Sequence, residues 1–165
     1  MKQPFLRMLI GLVGLLGAVV AGAQEVAPPS LHLIKGLVPD RPNRLEFAPA
    51  EAKFVRLAIS GSPGACIDEL EIYGPDDAAA NLALARNGAK ASASSCLPGY
   101  AIHRIEHLND GIYGNPHSWI LDGDSGWAQI ELKQPCKVSA VAISRDRLHE
   151  FKDRPVCNVD VQLSM

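Results

Sequence analysis

The chain has few aromatic residues, no long helical pattern and no excess of basic charge. Phenylalanine, tyrosine and tryptophan make up 5% of its 165 residues, so a broad stacking surface is not expected. Sixteen lysines and arginines stand against 18 acidic residues, for a net charge of −2, and no basic run indicates a nucleic-acid partner. No amphipathic stretch exceeds about two helical turns, which argues against a helical bundle.

Signatures of catalysis and of common metal sites are also missing. The chain contains neither Gly-x-Ser-x-Gly nor His-Glu-x-x-His, and no Cys-x2-Cys pair of a zinc finger. His103 and His107 have the helical spacing of a metal pair, with Glu106 or His117 as a conceivable third ligand, but a convergent set is not evident. We therefore expect a protein that is not an enzyme.

The N-terminal residues have the pattern of an export signal. Lys2 and Arg7 precede an apolar run over residues 8–20, and residues 21–23 (AGA) form a small-x-small cleavage site. We expect residues 1–23 to be a signal peptide, and the protein to be secreted or periplasmic, with no stable membrane span after cleavage. An uncleaved N-terminal anchor is the alternative. Loss of both basic residues would lower the net charge from −2 to −4.

Removal of 23 residues from 165 leaves 142, enough for one domain with a substantial core. An even number of cysteines in an oxidising compartment favours disulfides. Four cysteines allow three connectivities, and we favour Cys66–Cys96 with Cys136–Cys157.

Hydrophobic alternation with period two dominates the rest of the chain. It is found over residues 54–59, 69–73, 127–132 and 158–164, while residues 138–143 are more continuously apolar, as in a central strand. Clusters of Gly, Pro, Asn and Asp separate these runs. The pattern predicts an all-β fold of about eight short strands, a sandwich or a barrel. Its acidic residues are interpreted as surface charges.

Three other segments have weaker signals. Residues 24–43 contain four prolines and predict an extended lead-in with a short strand at residues 31–34. Residues 75–80 and 101–108 each predict one helical turn. The main domain is expected to span residues 44–165.

Several motifs, in order, resemble one known family. Residues 81–85 (NLALA) and 89–95 (AKASASS) resemble the opening of discoidin domains, the coagulation-factor C-type domains of the galactose-binding-like superfamily. Residues 107–111 (HLNDG) resemble the family's Asp-Gly loop, and 118–119 (SW) its small-residue–Trp element. Residues 126–132 (GWAQIEL) are similar to its W-x-Q-[IV]-D-L strand, with Glu131 in place of Asp. The resemblance implies a jelly-roll β-sandwich that serves as a binding module.

The remaining motifs extend the resemblance and raise a question of order. Residues 138–147 resemble the next strand and turn, and residues 102–115 resemble a variant found in secreted or membrane-associated bacterial proteins. Residues 54–59 (FVRLAI) and 67–74 (IDELEIYG) are similar to the family's closing strands, yet they come first. We favour a circularly permuted single domain, since two half-sandwiches would expose sheet edges. Two truncated units are the alternative.

The resemblance also implies a structural calcium ion beside the Asp-Gly loop. Asp110 matches the family's loop aspartate, Ser118 offers a hydroxyl, and Glu69 lies on the strand of the family's closing carboxylate. Ile112 departs from the Asn or Asp common at that position. A simple Asn-Asp-Gly turn is the alternative.

Ligand recognition is expected from polar loops at one end of the sandwich. The candidate contacts are His103, Arg104, His117, Trp119, Arg145 and Arg147. Packing is the alternative role for Trp119, and a structural ion pair is the alternative for Arg147. The sequence thus predicts a non-catalytic module that binds a carbohydrate or another cell-surface component. A module that contacts only another extracellular protein is the second hypothesis.

Overall fold

A computed structural model describes residues 30–151 and 153–165, and within them the protein contains eight strands and two 3₁₀ helices. The strands are β1 (Ser30–Lys35), β2 (Asn43–Ser60), β3 (Cys66–Ile67), β4 (Glu69–Tyr73), β5 (Lys90–Ala93), β6 (Trp119–Ile120), β7 (Gly126–Ser144) and β8 (Asn158–Ser164). The 3₁₀ helices are Ala85–Asn87 and Ile105–Asn109. The all-β class is confirmed. The predicted signal peptide, residues 1–23, lies outside the described residues.

Two antiparallel sheets organise the strands. The larger has six strands in the order β1-β8-β2-β7-β4, and β5 also pairs with β7. The smaller consists of β3 and β6. The strand predicted at residues 31–34 exists as β1, which pairs with β8 at the edge of the large sheet.

The two longest strands, β2 and β7, pair along nearly their whole lengths, with register shifts between Glu46 and Ala50 and between Ala52 and Phe54. Such shifts mark β-bulges, which bend a strand and increase its twist. The sequence pattern predicts two separate strands here, at residues 127–132 and 138–143, on either side of the polar residues 133–137. The strand instead continues through them, since Ala52 of β2 pairs with Cys136 across this stretch.

The hydrophobic core contains the apolar faces that the alternation predicts. Val55, Leu57 and Ile59 of β2 are buried, and so are the apolar residues of β8, namely Val159, Val161 and Leu163. Both halves of β7 contribute to the same buried cluster, through residues such as Ile130 and Val141. Burial of these side chains is the main force that stabilises the fold.

The segment Cys66–Tyr73 pairs with strands that follow residue 81. Cys66 faces Ile120 in the small sheet, and β4 pairs with the last five residues of β7. This segment therefore belongs to the same sheets as the strands that follow residue 81.

The helical predictions fare differently. A 3₁₀ helix, Ile105–Asn109, overlaps the predicted helical turn at 101–108, whereas residues 75–80 form turns without a helix. Within residues 30–151 and 153–165, no helix combines the length and apolarity needed to cross a membrane.

Candidate functional site

The second face of β4 is polar yet buried. Leu70 and Ile72 point into the core as predicted, while Glu69 and Glu71 on the opposite face are 0% and 7% exposed. The sequence interpretation of the acidic residues as surface charges is therefore wrong for this strand. The loop that follows the 3₁₀ helix Ile105–Asn109 covers this face, because Gly111 N donates a hydrogen bond to Glu69 Oε2 at 3.1 Å.

Glu71 is the centre of a fixed polar cluster. Its Oε1 accepts hydrogen bonds from the hydroxyls of Tyr73 and Tyr113, each at 2.9 Å. Its Oε2 forms an ion pair with Arg147 Nη2 at 2.7 Å, and the guanidinium carbon lies 4.0 Å from the centroid of the Tyr113 ring. Burial and the Glu71 charge raise the pKa of Tyr73 to about 12 and also raise the pKa of Tyr113, so both hydroxyls remain donors at neutral pH.

A cleft of about 380 Å³ opens beside this cluster. Among its lining residues are Glu71, Asn81, Arg86, Asn87, Gly111 and Tyr113. Volumes of about 300 to 1,000 Å³ with a few fixed polar groups are typical of small-molecule sites. A second groove of about 270 Å³ is lined by Leu82, Leu132 and Cys136 among others, and its mostly apolar wall suits a polar ligand less well.

The loop from residue 79 to residue 87 forms one wall of the cleft and is anchored to β4. Asn81 Oδ1 accepts hydrogen bonds from Ile72 N at 3.0 Å and from Ala83 N at 2.9 Å. Arg86 lies on the exposed rim, and no carboxylate of the described residues is within ion-pair distance of it. A charged guanidinium therefore faces solvent at the mouth of the cleft.

The backbone of the opposite wall turns at two glycines. Gly111 has φ +82° and Gly114 has φ +106°, a region that residues with a side chain rarely adopt. A Cβ at Gly111 would lie 3.0 Å from Leu84 Cδ2, and one at Gly114 would lie 2.6 Å from Leu148 Cδ1. Close packing of this turn on its neighbours thus depends on both glycines.

Glu69 has an unusual environment for a carboxyl group. It is fully buried, and its Oε1 has no hydrogen-bond partner among the described residues. Burial raises the pKa of Glu69 to about 9, with the Gly111 amide acting in the opposite direction. The carboxyl group is therefore protonated at neutral pH.

The predicted calcium ligands are only partly brought together. Glu69 and Asp110 flank the same turn, but Ser118 is fully buried and its hydroxyl donates to Asn115 O at 2.9 Å. Asp110 Oδ1 accepts from Ile112 N at 2.7 Å, and its Oδ2 contacts His117 Nδ1 at 2.8 Å. A neutral Glu69 is a weak ligand for calcium. Calcium binding at Asp110, Ser118 and Glu69 remains a prediction.

The six predicted ligand contacts do not form one surface. Trp119 is fully buried and its Nε1 donates to Ser95 O at 2.9 Å. His103 is buried, and its Nδ1 lies 2.9 Å from Ser118 Oγ. Burial, followed by the charges of nearby arginines, lowers the pKa of His103. Neither side chain faces the cleft.

The four remaining predicted contacts separate into three places. Arg145 is 1% exposed and pairs with Asp68 and Asp153. Arg104 and His117 lie near His107, whereas Arg147 contacts Glu71.

The predicted disulfides are absent. All four cysteines lie among the described residues, and each carries a free thiol. On β2, Ala52 faces Cys136 and Ser60 faces the neighbour of Cys157, so roughly 25 Å of strand separates the two thiols. A disulfide requires Cα atoms within about 7 Å. The Cys66 thiol is buried, and Cys96 Sγ instead donates to His103 O at 3.0 Å.

Thiol labelling should distinguish these cysteines. We expect Cys96 and Cys157, which are exposed, to react first with a thiol-specific reagent. Cys66 should react only after unfolding, because burial raises its pKa to about 11 and excludes the reagent. Mass spectrometry of the labelled protein without reductant measures this order. Fewer than four reactive thiols after denaturation would instead indicate a disulfide.

Sequence reasoning missed the residues that build the cleft. The alternation of residues 69–73 puts Glu71 on the outward face, and no motif singles out Tyr113 or Arg86. One signal for buried carboxylates was present. Glu69 and Glu71 alternate with Leu70 and Ile72, in a strand with few other polar residues. Tyr113 lies 42 residues from Glu71 in sequence, so their contact follows only from the tertiary fold.

Comparisons with known proteins identify no relative, so a function must be assigned from the fold and the cleft. No family model matches the chain, and no curated protein is significantly similar to it.

Proposed function

We propose that the protein is an exported, non-catalytic module that binds a carbohydrate in the cleft beside Glu71. The fold we propose is a permuted discoidin-type jelly roll of the galactose-binding-like superfamily. The antiparallel sheets, and the pairing of β4 with β7, support this fold. Such folds carry their binding residues on loops, and the cleft is walled by two loops next to a strand.

One observation carries the proposal: a buried carboxylate is held rigidly beside an open cleft, and the arginine on its rim has no ion-pair partner in the part of the chain that the structure describes. Three groups fix Glu71, so it is already ordered before a ligand arrives. Pre-organisation removes part of the entropy lost on binding. Sugar hydroxyls both donate and accept hydrogen bonds. The remaining lone pair on Glu71 Oε2 can accept from one of them, while Arg86 and Asn87 can donate.

Substitution of Arg86 tests the site with little risk to the fold. Arg86 is exposed and has no ion-pair partner among the described residues, so Arg86→Ala should leave stability unchanged. We expect a glycan array to reveal a ligand, and Arg86→Ala to weaken its binding about tenfold or more, since a charged hydrogen bond is lost.

Arg41→Ala is the matched control, because Arg41 is also exposed and lies in the loop before β2. It should bind as tightly as the unmodified protein. If Arg86→Ala bound the glycan as tightly as the unmodified protein, the binding site would lie outside the cleft. If the protein bound no glycan on the array, the carbohydrate proposal would be wrong.

A second candidate function is contact with another extracellular protein. Large apolar side chains are exposed on the segments 97–118 and 145–151, including Ile112 at 48% and Leu148 at 54%. Exposed apolar patches often mark protein interfaces. Leu148→Ser should weaken such a complex and leave glycan binding intact.

A further inference from the structure

Three side chains that can bind a metal converge beside the cleft, outside the proposed sugar site. One ring nitrogen of His107, one of His117 and one carboxylate oxygen of Asp110 all lie within 4.8 Å of one another. The local structure explains the arrangement. In a 3₁₀ helix, side chains three residues apart lie on the same side, which aligns His107 with Asp110 directly after the helix Ile105–Asn109.

His117 reaches the same place from a tight turn. Its amide donates to Gly114 O at 2.9 Å, which turns the chain back toward the helix. The rings of His107 and His117 then lie 4.8 Å apart between centroids. His117 Nδ1 is 2.8 Å from Asp110 Oδ2, while Asp110 Oδ1 is fixed by Ile112 N.

His107 provides an independent indication of a ligand. The residue is 7% exposed, and its Nδ1 has no hydrogen-bond partner among the described residues. A buried polar atom without a partner destabilises a fold by about 1–3 kcal/mol, so native proteins rarely leave one without a reason. A metal ion would supply the missing partner.

We propose that His107, Asp110 and His117 bind a divalent transition-metal ion of the zinc type. Two imidazoles and one carboxylate suit zinc, whereas calcium prefers an all-oxygen site. Ligands about 2.1 Å from a tetrahedral ion lie about 3.4 Å apart. Separations of up to 4.8 Å must therefore shorten by at most about 1.4 Å, while the 2.8 Å contact between His117 Nδ1 and Asp110 Oδ2 must lengthen slightly. The His117 side chain is 37% exposed, which leaves room for this movement and for water as a fourth ligand.

Arg104 brings a positive charge close to the proposed metal site. Its Nη2 lies 3.2 Å from His107 Nε2. Because Arg104 is exposed, its side chain can turn to solvent when the ion binds. This inference goes beyond the proposed sugar binding and stands without it.

Calorimetric titration of the chelator-treated protein with zinc chloride tests the site. The background should be Cys96→Ser/Cys157→Ser, because both thiols are exposed and would compete for zinc. We expect one ion per chain, and a melting temperature that rises with zinc concentration. His117→Asn and Asp110→Asn should each weaken binding at least tenfold, since each removes one of three ligands.

His149→Asn is the matched control. His149 is exposed and has φ +60°, a conformation that asparagine tolerates. It should bind zinc like the background protein. Equal affinity in His117→Asn, or no binding by the background protein, would overturn the proposal. So would calcium binding that is tighter than zinc binding and independent of His117. Circular dichroism must show that each variant is folded.

Discussion

The free energy of unfolding should fall by roughly 4 kcal/mol between pH 5 and pH 8 because of Glu69 alone. Glu69→Gln should remove this part of the pH dependence. The carboxyl group is fully buried, and its pKa is raised from 4.5 to about 9. At neutral pH the folded protein therefore holds a proton that the unfolded chain releases.

The sign follows from this difference. Below pH 4.5 both states bind the proton, and Glu69 imposes no penalty. As the pH rises toward 9 the unfolded chain loses its proton first, which stabilises the unfolded state. The contribution of Glu69 is thus most favourable in acid and is lost as the pH rises through this window.

Denaturant unfolding at pH 5, 6, 7 and 8, in the presence of a chelator, measures the effect. Asp68 also titrates in this range, because burial raises its pKa to about 6, and burial lowers the pKa of His103 from its usual value. The difference in the free energy of unfolding between the wild type and Glu69→Gln, taken at each pH, gives the contribution of Glu69 alone. Glu51→Gln, an exposed glutamate in β2, should follow the wild type. A difference that stays constant with pH would show that Glu69 is ionised in the fold.

Arg145→Met should destabilise the protein by about 3–5 kcal/mol, the largest effect we expect from one substitution. Arg145 is 1% exposed, and its Nη1 lies 3.4 Å from Asp68 Oδ1, which is itself fully buried. Its Nη2 also contacts Asp153 Oδ1 at 3.0 Å. Removal of the guanidinium leaves the Asp68 carboxylate buried with the Gly114 amide as its remaining partner.

The pH dependence of this variant provides a further check. Burial already raises the pKa of Asp68 to about 6 against the opposing effect of Arg145. Loss of Arg145 should raise the pKa further, so the destabilisation should be larger at pH 8 than at pH 5.

Asp68→Asn in the Arg145→Met background should recover part of the stability, because an amide carries no charge. The control is Arg44→Met, whose exposed ion pair with Glu46 should contribute less than about 1 kcal/mol. If urea unfolding showed that Arg145→Met and Arg44→Met lower the free energy of unfolding equally, the structural role of the buried ion pair would be contradicted.

The all-β class and several strands were predictable because the strands alternate. The runs at 69–73 and 158–164 match β4 and β8 residue for residue. Prediction failed at residues 133–137, where a polar stretch with a proline looks like a turn. There the pairing with β2 decides the structure, and that partner lies more than 80 residues away.

The site was less predictable, because its residues meet only in three dimensions. The sequence predicts that Arg104 and His117 share one ligand surface with Arg145 and Arg147. In the structure both lie next to His107, away from those two arginines. Arg145 and Trp119 have the chemistry of ligand contacts but are fully buried. The carboxylates of β4 look like surface charges in sequence, since nothing local shows that a loop 40 residues away covers them.

The most direct test of the account is a nuclear magnetic resonance titration of ¹⁵N-labelled protein with the glycan that binds best on the array. Binding in the cleft should shift the amide signals of Asn81, Asn87, Gly111 and Tyr113, which line it. The amides of β1 and β8, at the other edge of the large sheet, should not move. Shifts that centre on β1 and β8, or no shifts at a saturating glycan concentration, would contradict a carbohydrate site beside Glu71.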